Sequence, residues 1–327
     1  MKTEEWPVRP SLVISRCLGF DSCRYNGQML HDPLADALGP YVDVITPCPE
    51  ADIGLGIPRH PVRIVVRDGG QRMVQPATGI DHTGKMREFV EDFLSRLPPV
   101  DGFILKSRSP SCGMRDVKQY REDGTSLITG RGSGLFGGEV FRSFPHLAVE
   151  DEGRLHNPVI RDHFLKKLFT LADYRRIESD GKAADLVDFQ RRNKLLLMAC
   201  SQKEMRELGR IVAGQKTAGL PGTMKEYGIH LQRAFEKGAS CGSNINVLQH
   251  AFGYVSGELS PGERAFFLDN LEMYREGRTP LVACLNLLES WIVRFGVEYL
   301  GDQTYFRPYP PDLQERYDKE RTGNFWK

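Results

Sequence analysis

Three cysteines stand out by position. Cys17 follows the apolar run Ser11–Ser15, Cys48 follows Val42–Thr46, and Cys112 lies a few residues past Gly102–Lys106. Cys48 is flanked by Pro47 and Pro49, and Cys112 sits in Ser109-Pro110-Ser111-Cys112-Gly113, so both read as loop residues. Three thiolates could hold Zn²⁺ with a fourth ligand from His31, His60 or His82. They could equally hold an iron–sulfur cubane, which normally takes four Cys. Held by three, a cubane has one iron with an open position that can act as a Lewis acid. Glu50, in Cys48-Pro49-Glu50, would set a carboxylate beside such a rim for acid/base work or water activation.

The other cysteines read differently. Cys200 and Cys284 lie in apolar helical stretches and read as small core residues. Cys241 falls in a loop. An odd total of 7 without a C-x-x-C argues against a disulfide framework and gives no support to zinc-ribbon or thioredoxin-like sites.

What must position the three thiols is a sheet. Ser11–Ser15, Val42–Thr46 and Gly102–Lys106 read as buried strands, with Val62–Val66 as a fourth. Helices are expected over Asp32–Leu38 and over Gly84–Leu97, where Met86, Phe89, Val90, Phe93, Leu94 and Leu97 recur at helical spacing. Strands alternating with helices point to an α/β, Rossmann-like, mostly parallel sheet domain over residues 1–145. In such a sheet ligands bind outside the carboxyl ends of the strands, near a topological switch point. Neighbouring strands would therefore bring the three cysteines to one rim. Residues 146–157 read as a linker. Asn157-Pro158 then opens an all-α domain over 158–307, with capping-box patterns at Ser201–Glu204 and Ser260–Glu263 and a further helix from Thr279-Pro280. The polar, proline-bearing residues 308–327 read as an extended tail.

With these motifs in place, a resemblance to a known family emerges. Ser15-Arg16-Cys17-Leu18-Gly19 followed by Cys23-Arg24-Tyr25-Asn26-Gly27, Pro47-Cys48-Pro49-Glu50 with Gly54–Arg59, and Leu105-Lys106 through Cys112-Gly113 resemble the thiouracil desulfidase family. Asp188–Ala199 resembles the YbgA-type domain. The pairing is similar to two-domain desulfidases that remove sulfur from 4-thiouridine in tRNA. The resemblance implies a 4Fe-4S cluster on Cys17, Cys48 and Cys112, whose free iron takes the thiocarbonyl sulfur. It implies Glu50 as the acid/base carboxylate and Ser109 as the catalytic serine. Ser111, Arg24, Asn26, Arg59 and Lys106 are expected on the substrate side. Asn26 stands where the family's motif has an acidic residue, so any substrate contact there is a neutral hydrogen bond.

Two further signals bear on partners. Gly132-Ser133-Gly134-Leu135-Phe136-Gly137 matches G-x-G-x-x-G, but it does not follow the first strand. It reads as a flexible loop that lets backbone approach the substrate. The net charge of +1 excludes a global polybasic coat, so nucleic acid must meet a local patch. The helices from Arg161 to Lys216 are locally basic, and Arg191, Arg192 and Lys194 are expected to touch tRNA phosphates, with Tyr174 and Phe189 as candidates for base stacking, although Phe189 reads more readily as a core residue. No run suits a membrane span and the start lacks a secretory signal, so a cytoplasmic protein is expected, with no membrane or obligate protein partner. Two alternatives remain: a desulfidase of free thiouracil or thiolated nucleotides, and a non-enzymatic iron–sulfur redox sensor that binds nucleic acid. A sensor needs the ligands but not Glu50 and the serines.

Overall fold

Chain order runs β1 (Ser11–Ile14), α1 (Pro33–Leu38), β2 (Asp43–Ile45), α2 (Pro49–Asp52), β3 (Arg63–Arg67), β4 (Gly70–Gln75), β5 (Ile80–Asp81), α3 (Thr83–Arg96), β6 (Gly102–Leu105), β7 (Gln119–Tyr120), α4 (Leu135–Ser143), β8 (Ala148–Asp151), α5 (Glu152–Leu155) and α6 (Pro158–Asp180). This computed structural model describes residues 6–122, 126–128 and 130–314. The chain divides into two compact units. One holds the described residues up to Ala172 together with those from Pro310, and the other is Asp173–Tyr309.

The first unit is built on a parallel sheet in the order β2-β1-β6-β8. The chain steps from β1 to β2 on one side and later to β6 on the other, so β1 and β6 flank a switch point. The three cysteine-bearing loops therefore leave three adjacent strands at the same edge. Val13, Phe103 and Leu105 pack with Met86, Val90, Met114, Phe136 and Val140 in one apolar core under α3 and α4. Asp32 caps α1 by accepting from the Ala35 N–H at 2.8 Å.

Three expectations need correction here. Val62–Val66 is a strand, but β3 belongs to a second sheet in the order β5-β4-β3-β7, antiparallel except where β3 meets β7. The hairpin turns at Asp68-Gly69, both in the left-handed region (φ 50° and 74°), and this type of turn suits the strand twist. The expected linker 146–157 contains β8, paired with β6 from Gly102↔Ala148 to Leu105↔Asp151, and the turn α5. Its acids are not a solvated connector, because the strand ends at the functional edge, where polar side chains are used. The expected tail from Pro308 is not extended at its start: Leu313 is buried and Tyr41 donates to Asp312 Oδ2 at 2.7 Å. Residues 315–327 lie outside the described residues.

The second unit is helical: α7 (Ala183–Cys200), α8 (Gln202–Ala218), α9 (Leu220–Ala234), α10 (Cys241–Gly253), α11 (Pro261–Arg275), α12 (Leu281–Phe295) and α13 (Glu298–Gly301). The Ser260 capping box is complete, with Glu263 reaching back to the Ser260 N–H. At Ser201 only half forms. Its hydroxyl caps the Glu204 N–H, while the Glu204 carboxylate meets His230 Nδ1 at 2.7 Å. Among the described residues no helix is long and apolar enough to cross a membrane.

Candidate active site

Each cysteine loop is tied to its neighbours by backbone hydrogen bonds. Arg16 N–H donates to Pro47 O at 3.0 Å, joining the Cys17 and Cys48 loops. Lys106 N–H donates to Ser15 Oγ at 2.9 Å, joining the β1 and β6 exits. Asp52 accepts from the Cys48 N–H at 3.0 Å and pairs with Arg16. The thiols of Cys17, Cys48 and Cys112 each lie within electrostatic reach of the other two. Burial, and then the neighbouring Cys112, Cys23 and Cys48, push the Cys17 thiol far above its ordinary value, with Lys106 opposing. Burial pushes Cys112 up to about 12, opposed by a hydrogen bond from Ser15. A cation bound between such thiols would reverse this cost and hold them as thiolates.

Among the described residues no three His, Cys, Asp or Glu side chains converge on a point that could grip one metal ion. A tetrahedral zinc site holds its donors within about 4 Å of one another. The alternative of Zn²⁺ with His31, His60 or His82 is therefore not built. His31 instead pairs with Asp36 on the surface, and His82 precedes α3 without a side-chain capping bond. An all-cysteine donor set spread over one buried edge fits an iron–sulfur cluster, whose own atoms separate its ligands.

Glu50 is the buried carboxylate beside this edge (8% exposed). Arg59 holds Oε2 through Nε at 3.0 Å and through its terminal nitrogen at 2.8 Å. Ser111 donates to Oε1 at 2.7 Å and lies 3.9 Å from Cys112 Sγ. Because the Ser111 proton goes to Glu50, the 2.9 Å contact between the serine hydroxyls has Ser109 as donor. Ser109 Oγ also accepts from the Ser111 and Cys112 N–H groups at 3.2 and 3.1 Å. The result is a chain of hydroxyls, Ser109 to Ser111 to Glu50, with Ser111 buried and Ser109 half-buried.

The G-x-G-x-x-G segment is not a flexible loop. Gly134 caps α4, and the first N–H groups of that helix hold the Cys112 loop: Gly134 to Gly113 O at 2.7 Å, Phe136 to Ser111 O at 3.0 Å, Gly137 to Ser111 O at 2.9 Å. A Cβ on Gly137 would stand 2.1 Å from Cys112 O, and one on Gly134 2.4 Å from Ser111 O. The glycines let backbone approach the cysteine loop rather than a substrate.

The expected substrate contacts divide. The Arg59 side chain is 4% exposed and is spent on Glu50 and on the carbonyls of Cys23 and Gly56, so it positions rather than binds. The Lys106 ammonium has its three donors on Glu152, Ser107 O and Ser107 Oγ. Asn26 is exposed and closes a local turn with Gln28. Arg24 lies 5.7 Å from the Tyr25 ring centroid. Sequence reasoning missed Glu152, which accepts from the Ser107 N–H and hydroxyl at 2.6 and 2.7 Å and anchors the loop leaving β6. It also missed Cys23 as a buried thiol beside Cys48, pushed up to about 12 by burial and by Cys48.

The family model described as 2-thiouracil desulfurase matches residues 12–152, spanning every residue of this edge. The Bacillus subtilis (strain 168) protein YbbK is 30% identical over 128 residues, 37% of this chain and 84% of that protein. The chain belongs to the 2-thiouracil desulfurase family. A second model, described as a protein of unknown function (DUF1722), matches residues 194–310. The Escherichia coli (strain K12) protein YbgA is 28% identical over 158 residues, 48% of this chain and 94% of that protein. The solved structure of the 4Fe-4S-dependent thiouracil desulfidase TudS is 26% identical, covers 45% of this chain and 93% of its own, and has a TM-score of 0.33. The chain is thus a desulfurase-family enzyme joined to a YbgA-type helical segment.

In this desulfurase's helical unit the expected RNA contacts have other partners. Arg191 bonds Asp188 and Asp302 at 2.8 Å, and Arg192 bonds Asp188 at 2.6 Å and reaches Asp173 at 3.4 Å. Lys194 is half-buried. Tyr174 and Phe189 do not face solvent: they form a buried cluster with Tyr227, and Tyr174 donates to Met224 O.

Proposed function

We propose that this enzyme converts 4-thiouridine in tRNA to uridine by hydrolysis, with a 4Fe-4S cluster on Cys17, Cys48 and Cys112. The observation that carries the reading is the buried Glu50 carboxylate, fixed by Arg59 and hydrogen-bonded to Ser111 beside Cys112. A redox sensor has no use for that arrangement. Held by Cys17, Cys48 and Cys112, the cluster would supply a thiophilic Lewis acid for the thiocarbonyl sulfur.

The chain's own residues handle the protons. Water adds at C4 while Glu50 takes its proton. Arg59 on one carboxylate oxygen and Ser111 on the other fix the remaining lone pairs toward the water. The serine chain can lend a proton to the ring nitrogen and take it back as the sulfur departs, with Ser109 at its accessible end. The C–S bond breaks, the C=O bond forms, and sulfide leaves carrying the water's protons, with no net oxidation or reduction.

The tRNA assignment is supported by the attached YbgA-type segment, since a free base does not need a second unit. The description of the matched family favours a second reading, free 2-thiouracil. Sulfide release from tRNA containing 4-thiouridine, from free 4-thiouridine and from 2-thiouracil separates the two. We expect kcat/KM to be highest on tRNA; activity confined to the free base establishes the second reading.

A further inference from the structure

We infer that the outward face of the β5-β4-β3-β7 sheet is a phosphate-binding surface that receives the RNA backbone of the substrate, a proposal that rests on the tRNA reading above. Strand register defines the two faces. Residues directly opposite one another point the same way, so Ile64 and Met73 share the inner face, where both are fully buried. The pairs Arg63↔Val74, Val65↔Arg72, Val65↔Tyr120 and Val74↔Asp81 place Arg63, Arg67, Arg72 and Tyr120 on the other face, with Asp81 as its one acidic strand residue. The Arg63 guanidinium lies 4.6 Å over the Tyr120 ring.

The charge on this face is available in a way that the helical arginines' charge is not. Arg67 meets Glu122 at 3.4 Å and Arg72 meets Asp81 at 3.9 Å, with all four side chains about half exposed or more. Such long, solvated ion pairs are weak, and a phosphate can displace the carboxylate at little cost. Arg191 and Arg192 instead hold shorter contacts to several carboxylates at once. A cationic, aromatic-bearing sheet face is complementary to a single-stranded or looped polyanion. It is also continuous with the active site along the chain. β3 leaves the loop whose Arg59 holds Glu50, and β7 follows the Cys112 loop.

The test is tRNA binding by the full-length holoenzyme as a function of KCl, using tRNA with and without 4-thiouridine. The double variant Arg67→Gln, Arg72→Gln is compared with the charge-conserving double Arg→Lys. The Gln variant is expected to raise Kd by on the order of tenfold for both tRNAs. It should also lower the slope of log Kd against log salt by about 2. The Lys variant should keep the wild-type slope. A Gln variant with wild-type Kd and slope overturns the surface. So does a loss found only when Arg191, Arg192 and Lys194 are neutralised. Wild-type protein that binds tRNA through this face yet releases no sulfide from it overturns the tRNA reading and leaves the surface standing; no tRNA binding at all overturns both.

Discussion

Glu50 is held by two neighbours with different jobs, and substitution separates them. Glu50→Gln keeps the size and the Ser111 contact but cannot take a proton. Turnover should fall by roughly 10²–10⁴ while iron content stays at the wild-type level. Near-normal turnover would remove the general-base role. The serines should split too. Ser111→Ala breaks the bond to Glu50 and should cost more turnover than Ser109→Ala, whose oxygen mainly braces the Ser111 and Cys112 N–H groups. Single-turnover rates on both variants check the order, and a larger loss for Ser109 would make it the principal proton carrier. Cys17, Cys48, Cys112 and Glu50 were legible in the sequence because proline-flanked and serine-rich settings at strand ends are unusual for core cysteines. The roles of Arg59, Lys106 and Asn26 were not. A motif says that a residue belongs to a site, while only geometry says whether its donors are already used.

At the scale of elements, the Cys112 loop depends on α4. Gly137→Ala would drive a methyl into Cys112 O, so the loop must shift or the helix tilt. We expect a destabilisation of about 1–3 kcal/mol, the usual cost of overpacking, together with accelerated iron loss. A variant with wild-type thermal stability and iron retention would show that the contact is not restrictive. The parallel order β2-β1-β6 followed from strand runs separated by helices. Several elements escaped, β8 and β4 among them. β8 is only Ala148–Asp151 and half acidic, so it lacks the apolar run that marks β1 or β6. β4, Gly-Gln-Arg-Met-Val-Gln, has only two apolar residues, adjacent rather than alternating, although the Asp68-Gly69 pair ahead of it is a strong hairpin signal that could have identified the turn.

Across the whole molecule the two units respond to different perturbations. Burial alone would raise Asp188, but hydrogen bonds from Arg192 and Arg191 hold it below the usual carboxylate range. A depressed folded value stabilises above the unfolded value, near 3.9, and that contribution is lost as pH falls through the lower folded value. Asp188→Asn should therefore be less stable than wild type at pH 7, by no more than about 1 kcal/mol for so exposed a pair, and the gap should narrow as pH falls through the folded value. A gap independent of pH would assign the effect to packing. The first unit is expected to answer instead to metal. Iron and acid-labile sulfide per chain, measured on anaerobically purified protein, test the central claim most directly. The wild type and Cys200→Ala should each carry about four of both, while Cys17→Ala, Cys48→Ala and Cys112→Ala should each lose the cluster. Full iron and sulfide loading in any one of those three variants contradicts the account.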